Sequence, residues 1–211
     1  KPLIDLFQRY GKNCLILVAI IITYRISDIV MGIMANPFYV DMGYSKTDVA
    51  TVAKVFGVLM TLVGAGLGGI LVNRMGLLAT LLLGGILSAL TNLLFNWMAI
   101  PVASEQLLFL LSSIASVFDY PVSLEQMPFA LLTLVISADN LSAGIAACAF
   151  VVFLSQLTNK QFTATQYALF SSIMVLLPKF LAGFSGVVVD KWDYSYFFIG
   201  TAMIGIIPIS F

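Results

Sequence analysis

Cys14–Val40 reads CLILVAIIITYRISDIVMGIMANPFYV, an apolar run whose only charges are Arg25 and Asp28, near its middle. A helix crossing the hydrocarbon core of a bilayer needs about 20 such residues. The run is therefore a membrane span with two opposite charges inside it. At that depth each charge costs at least ~2.5 kcal/mol unless it faces a partner or a wet cavity. Residues three apart share a helix face, so Arg25 and Asp28 are placed to pair locally.

The rest of the chain reads the same way. Of 211 residues, 61% are hydrophobic and 9% charged, with ten Lys+Arg against ten Asp+Glu. A soluble domain is roughly half apolar and a quarter charged, so too few charges exist here to cover a globule. The mean hydropathy of +1.06 agrees. Runs at about 14–40, 49–72, 77–100, 127–157, 164–189 and 194–211 predict six transmembrane helices after a cytoplasmic lead-in, 1–13. They are too long for barrel strands and do not alternate in polarity. The connection 101–126 contains Leu107–Phe118, which as a helix covers about 18 Å. That length predicts an interfacial or re-entrant segment, with a seventh span as the alternative. Lys1, Arg9, Lys12, Arg74 and Lys160 fall on one side of a six-span arrangement and Lys46 and Lys191 on the other. The excess of Lys and Arg puts both ends of the sequence in the cytoplasm. The sequence starts without Met and stops within an apolar run at Phe211, and it reads as a piece of a longer chain.

Further ionisable or amide residues lie inside the runs: Lys54 in the second, Asp139 and Asn140 in the fourth, Lys179 in the fifth. The third and sixth carry no charge, which predicts four helices around a polar interior and two facing lipid. Three cations (Arg25, Lys54, Lys179) against two acids leave one positive charge over, which suits an anionic ligand. Buried structural pairs are the plainer reading of the same residues, and Lys54 is close enough to a helix end to snorkel outward. Gly57, Gly64, Gly66, Gly68 and Gly69 in the second run are small residues that let helices approach closely.

Other functions fall away. The absence of His removes His-based acid–base chemistry and most catalytic zinc sites; no metal and no cofactor is expected. Cys14 and Cys148 lack paired spacing and read as small buried hydrophobes. Zero net charge and no basic block exclude nucleic acid as a partner. Asp28 and Asp139 invite comparison with intramembrane aspartyl proteases, but neither has the G-x-G-D context, so an enzyme is not expected.

Gly69–Gly76 (GILVNRMG) resembles the G-x-L-x-D-R-x-G cytoplasmic loop motif of major facilitator transporters, with Gly69, Asn73, Arg74 and Gly76 at motif positions and Asn73 in place of Asp. A wider match runs through PLIDLF (2–7), YRISD (24–28), GGIL (68–71), DNL (139–141) with Gly144, and NKQFTATQYAL (159–169). Together these resemble the C-terminal half of AmpG-type muropeptide permeases, which are related to acetyl-CoA transporters. The long Pro101–Gln126 connection departs from the pattern. The resemblance implies an all-α membrane protein, the six-transmembrane-helix half of a major facilitator fold. Such halves set their first, second, fourth and fifth helices around the cavity, the same four that carry charge here. It also implies proton-coupled import of anhydro-muropeptides across the inner membrane of a Gram-negative bacterium. The expected partners are the lipid bilayer, the N-terminal six-helix half and a small anionic sugar-peptide. Asp28 and then Asp139 are the candidate proton-coupling sites. Arg25, Lys54, Asn140, Lys179 and Gln166 are the candidate substrate-binding residues. A carrier for another anionic solute, such as an acetyl-CoA-like metabolite, is the alternative, and a structural membrane subunit is the rival from another class.

Overall fold

The computed structural model describes residues 2–117 and 127–210. Lys1, Asp119, Glu125 and Phe211, and with them 118–126 of the connection, lie outside the described residues. The described residues form α1 (Pro2–Tyr10), α2 (Asn13–Thr23), α3 (Ile26–Asp41), α4 (Lys46–Val52), α5 (Val58–Met75), α6 (Leu77–Ala99), α7 (Pro101–Val117), α8 (Met127–Leu157), α9 (Thr163–Ala182) and α10 (Ser185–Ile206), and no strand among them. Asn13–Asp41, Lys46–Met75, Leu77–Ala99, Pro128–Leu157 and Thr163–Ala182 are each long and apolar enough to cross a bilayer. The chain is an all-α, multi-pass membrane protein. Of the expected Leu107–Phe118 segment, residues 107–117 belong to α7, which has 17 residues, and Phe118 lies outside the described residues. The stretch expected as a sixth span starts just past Asp193, whose φ of 72° and ψ of 163° kink α10.

Three of the apolar runs are interrupted where their composition shows nothing. Arg25, at φ −100° and ψ 7°, separates α2 from α3. Ala53–Gly57 winds as a π-helix between α4 and α5. Between α9 and α10 the Gly183 N–H is shared by the Lys179 and Phe180 carbonyls at 3.2 and 3.3 Å, and the next donor bonds three residues back. Each interruption holds or adjoins one of the three in-membrane cations, Arg25, Lys54 or Lys179. Irregular backbone at membrane depth persists where protein or a watery cavity satisfies it.

The turns explain how the helices reverse. After α3, Tyr44 N–H bonds Tyr39 O at 3.1 Å and Gly43 N–H bonds Val40 O at 3.0 Å. This six-to-one closure needs a residue with positive φ, and Gly43 has φ 88°. Ser45 then caps α4 by accepting from Asp48 N–H at 3.1 Å. On the opposite side Gly76, at φ 89° and ψ 165°, links α5 to α6 in a region essentially reserved for glycine.

Packing is tightest where α5 meets α8. Gly64 and Gly144 lie back to back, and a Cβ on Gly68 would come within 2.9 Å of Cys148 Cβ. Gly66 faces open space instead. The buried apolar residues separate into two clusters. One gathers Phe38, Phe95, Leu132, Val135 and Phe198, with Phe38 edge-on to Phe198 at 4.9 Å between centroids. The other gathers Tyr24, Leu81, Ala149, Phe150 and Phe170, with Tyr24 stacked on Phe150 at 4.8 Å. Along α6 and α8, Ser88, Thr91, Asn92, Asp139, Asn140 and Ser142 lie between residues of the two clusters.

The expectation that the third span only faces lipid needs correction. Leu78, Leu82, Ile86, Leu90, Leu93 and Trp97 of α6 are indeed exposed. Its other face buries Thr80, Ser88, Thr91 and Asn92, uncharged groups that a count of charges passes over.

Candidate functional site

The polar layer is built from the break before α3 outward. Tyr24 anchors the break: its hydroxyl donates to Leu81 O on α6 at 2.9 Å. Arg25 follows, and its Nε lies 3.2 Å from Asp28 Oδ2, although that Nε makes no hydrogen bond. The other oxygen of Asp28 accepts from the Ser88 hydroxyl of α6. One turn further along α6, the Thr91 hydroxyl lies 3.3 Å from Asp139 Oδ1 on α8 and 2.9 Å from the Ser88 carbonyl. Ser142 Oγ is 3.5 Å from the same hydroxyl. Beside this chain, Asn92 Nδ2 donates to Ser27 Oγ at 2.6 Å, and Ser27 donates to Thr201 O of α10 at 2.7 Å.

The structure thus brings Arg25, Asp28 and Asp139 together, with α6 as the element between the two carboxylates. Asn140 is close by but engaged: it donates to Ile136 O at 2.8 Å and accepts from Thr61 Oγ1 at 3.1 Å, tying α8 to α5. Lys54, on the π-helical turn, and Lys179, near the end of α9, are both exposed on the surface of this bundle. Asn73, Arg74 and Gly76 are exposed at the α5–α6 turn, one turn after Gly69.

Gln166 lies elsewhere. Its side chain is 1% exposed and belongs to a second polar network, where α1 meets the start of α9. There Asp5 of α1 accepts from Asn159 Nδ2 at 2.9 Å, Gln166 Nε2 at 3.1 Å and Arg9 Nε at 3.0 Å. Gln166 Oε1 accepts from Asn159 N–H at 2.6 Å, and Arg9 Nη2 donates to Leu157 O at 2.9 Å. Desolvation opposes ionisation of Asp5, but the two amide donors and the Arg9 guanidinium outweigh it and hold its carboxyl below the ordinary 3.8. The stretches PLIDLF and NKQFTATQ, far apart in sequence, meet in this network.

Sequence reasoning missed Ser27, Ser88, Thr91, Asn92 and Ser142. A signal was present: Thr80, Gly84, Ser88, Thr91, Asn92 and Phe95 recur at three- and four-residue steps and so share one helix face.

No family model matches the chain. Against "Putative transporter AmpG 4" of Rickettsia conorii it is 30% identical over 206 residues, 98% of this chain and 44% of the relative. "Putative transporter AmpG 1" of Rickettsia bellii is 29% identical over 192 residues, 91% of this chain and 41% of the relative. "Putative transporter AmpG 3" of Rickettsia prowazekii is 25% identical over 199 residues, 94% of this chain and 42% of the relative. The chain is similar to the AmpG transporters along nearly its whole length. It spans less than half the length of these relatives, all of which are named as transporters and none as an enzyme.

Proposed function

We propose that the chain is the second, six-helix half of a major facilitator carrier, and that the whole protein imports an anionic sugar-peptide of the anhydro-muropeptide class with protons. The carrying observation is the coincidence of three helix interruptions with three in-membrane cations, in a chain that also holds two partly buried carboxylates, Asp28 and Asp139. Discontinuous helices are where secondary transporters build their substrate and ion sites. Lys54 and Lys179, exposed on this bundle, would face the cavity shared with the first half and attract carboxylates of the substrate. Arg25 would join them when its contact with Asp28 opens, and Asn140 would offer its amide when it releases Thr61. Asp28 and Asp139 are the groups proposed to couple transport to protons. The proposed setting is the inner membrane of a Gram-negative bacterium.

The test uses full-length protein in proteoliposomes. An inward proton gradient should drive accumulation of labelled anhydro-muropeptide above its outside concentration, and dissipating the gradient should abolish that accumulation. Gradient-driven uptake of an acetyl-CoA-like anion in its place would transfer the assignment to another anionic solute. Absence of any solute flux would favour a structural subunit.

A further inference from the structure

We infer that Asp139 is the carboxylate that binds and releases the proton, that Asp28 is held in place by Arg25 and Ser88, and that Thr91 of α6 is the positioning residue that lets Asp139 exist in both forms. The inference deepens the proton-coupled reading above and rests on it. It follows from counting donors. A hydroxyl has one hydrogen to donate and lone pairs that accept. Asp28 has a partner on each oxygen: Arg25 at 3.2 Å on Oδ2 and the Ser88 hydroxyl on Oδ1. Both oxygens are therefore engaged, and among the described residues the Ser88 hydroxyl has no second acceptor to turn to.

Asp139 is placed differently. Its side chain has a single hydrogen-bond partner among the described residues, Thr91 Oγ1 at 3.3 Å. That hydroxyl has a second acceptor, the Ser88 carbonyl, at 2.9 Å. When Asp139 is ionised, the Thr91 O–H turns toward its Oδ1. When a proton arrives on the carboxylate, the new carboxyl O–H donates to Thr91 Oγ1, and the Thr91 O–H turns to Ser88 O. One proton enters with the substrate and one leaves on release; neither Asp139 Oδ1 nor the Thr91 hydroxyl is left without a partner in either state. The charged and titratable groups that act on Asp139 are Asp28, Arg25 and Tyr39, all from the α3 side.

Thr91 acts through Asp139 and does not itself carry the proton. Its backbone neighbour Ser88 holds Asp28, so a single turn of α6 reads both carboxylates. A shift of α6 relative to α8 would break the Thr91–Asp139 contact while leaving Ser88 on Asp28.

The test is infrared spectroscopy of the full-length carrier in liposomes, as difference spectra between acidic and alkaline buffer with no solute added. The expected spectrum has a protonated-carboxyl C=O band that is lost in Asp139→Asn and kept in Asp28→Asn. In Thr91→Val, which keeps the shape and removes the hydroxyl, the band should move to higher frequency, because a carboxyl that loses a hydrogen bond has a stiffer C=O. Thr91→Ser should return it to the wild-type position. The amide bands of each variant report whether the helices are intact, which separates misfolding from a change at the site. A band lost in Asp28→Asn and kept in Asp139→Asn would overturn the assignment, as would a band indifferent to Thr91→Val. Because no solute is present, the band and gradient-driven uptake fail separately: uptake without a proton gradient would remove the coupled reading and leave the carboxyl assignment standing.

Discussion

The chain holds two polar networks built around an acid and an arginine, and they differ in saturation. Where α1 meets α9, both oxygens of Asp5 are occupied, Oδ1 by Asn159 and Oδ2 by Arg9 and Gln166. In the membrane, Arg25 Nε and Asn92 Oδ1 are buried without a hydrogen-bond partner, and one hydroxyl stands between two acceptors. A saturated network holds one geometry, because every change forfeits a bond. An unsaturated one in low dielectric leaves groups ready for a new partner, at a cost of about 1 to 3 kcal/mol for each unmet group. The first arrangement fastens α1 to the start of α9. The second suits the proposed function, in which a proton or a carboxylate comes and goes.

The largest effect should come from breaking the membrane pair. Arg25→Ala leaves Asp28 without its countercharge and should cost about 3 to 5 kcal/mol, read as a fall in thermal stability of the full-length protein in detergent. Adding Asp28→Ala should recover part of that loss. Equal stability of Arg25→Ala and wild type would mean that the pair contributes nothing. A yardstick outside both networks is Gly76→Ala, which should cost about 1 to 3 kcal/mol in the same assay because of its backbone conformation, whereas Gly66→Ala, facing open space, should be neutral or better. The smallest effect is expected at Asp5. Asp5→Asn should leave the melting temperature nearly unchanged and speed amide exchange in α1 and at Asn159. Because the folded value of Asp5 lies below 3.8, its contribution is present above that pH and is lost as pH falls through the lower folded value. The protection of the α1 amides, taken relative to the intrinsic exchange rate at each pH, should therefore be flat across neutral pH and fall only in acid.

The helical membrane class was legible because length and apolarity alone specify it: a run such as Leu77–Ala99 has no other stable form in lipid. The proximity of Arg25 and Asp28 was legible from three-residue spacing. The interruptions at Arg25, Ala53–Gly57 and Gly183 were not, since a π-turn or a local break changes hydrogen bonding without changing hydropathy. Charge counting also misjudged α6, whose contribution is made by Ser88, Thr91 and Asn92. Gln166 was grouped with the membrane charges, yet it bonds Asn159, a neighbour in the same stretch, and Asp5, which is brought beside it only by folding. Pairings across well over a hundred residues are set by tertiary packing, which no local pattern encodes.

The central claim is that the membrane network handles a proton, and the most direct measurement is uptake by Asp139→Asn in proteoliposomes at matched protein level. The account predicts that the variant exchanges substrate down its gradient but no longer accumulates it when a proton gradient is imposed, because a neutral amide keeps the shape of the protonated acid and cannot release a proton. Accumulation by Asp139→Asn equal to wild type would contradict it.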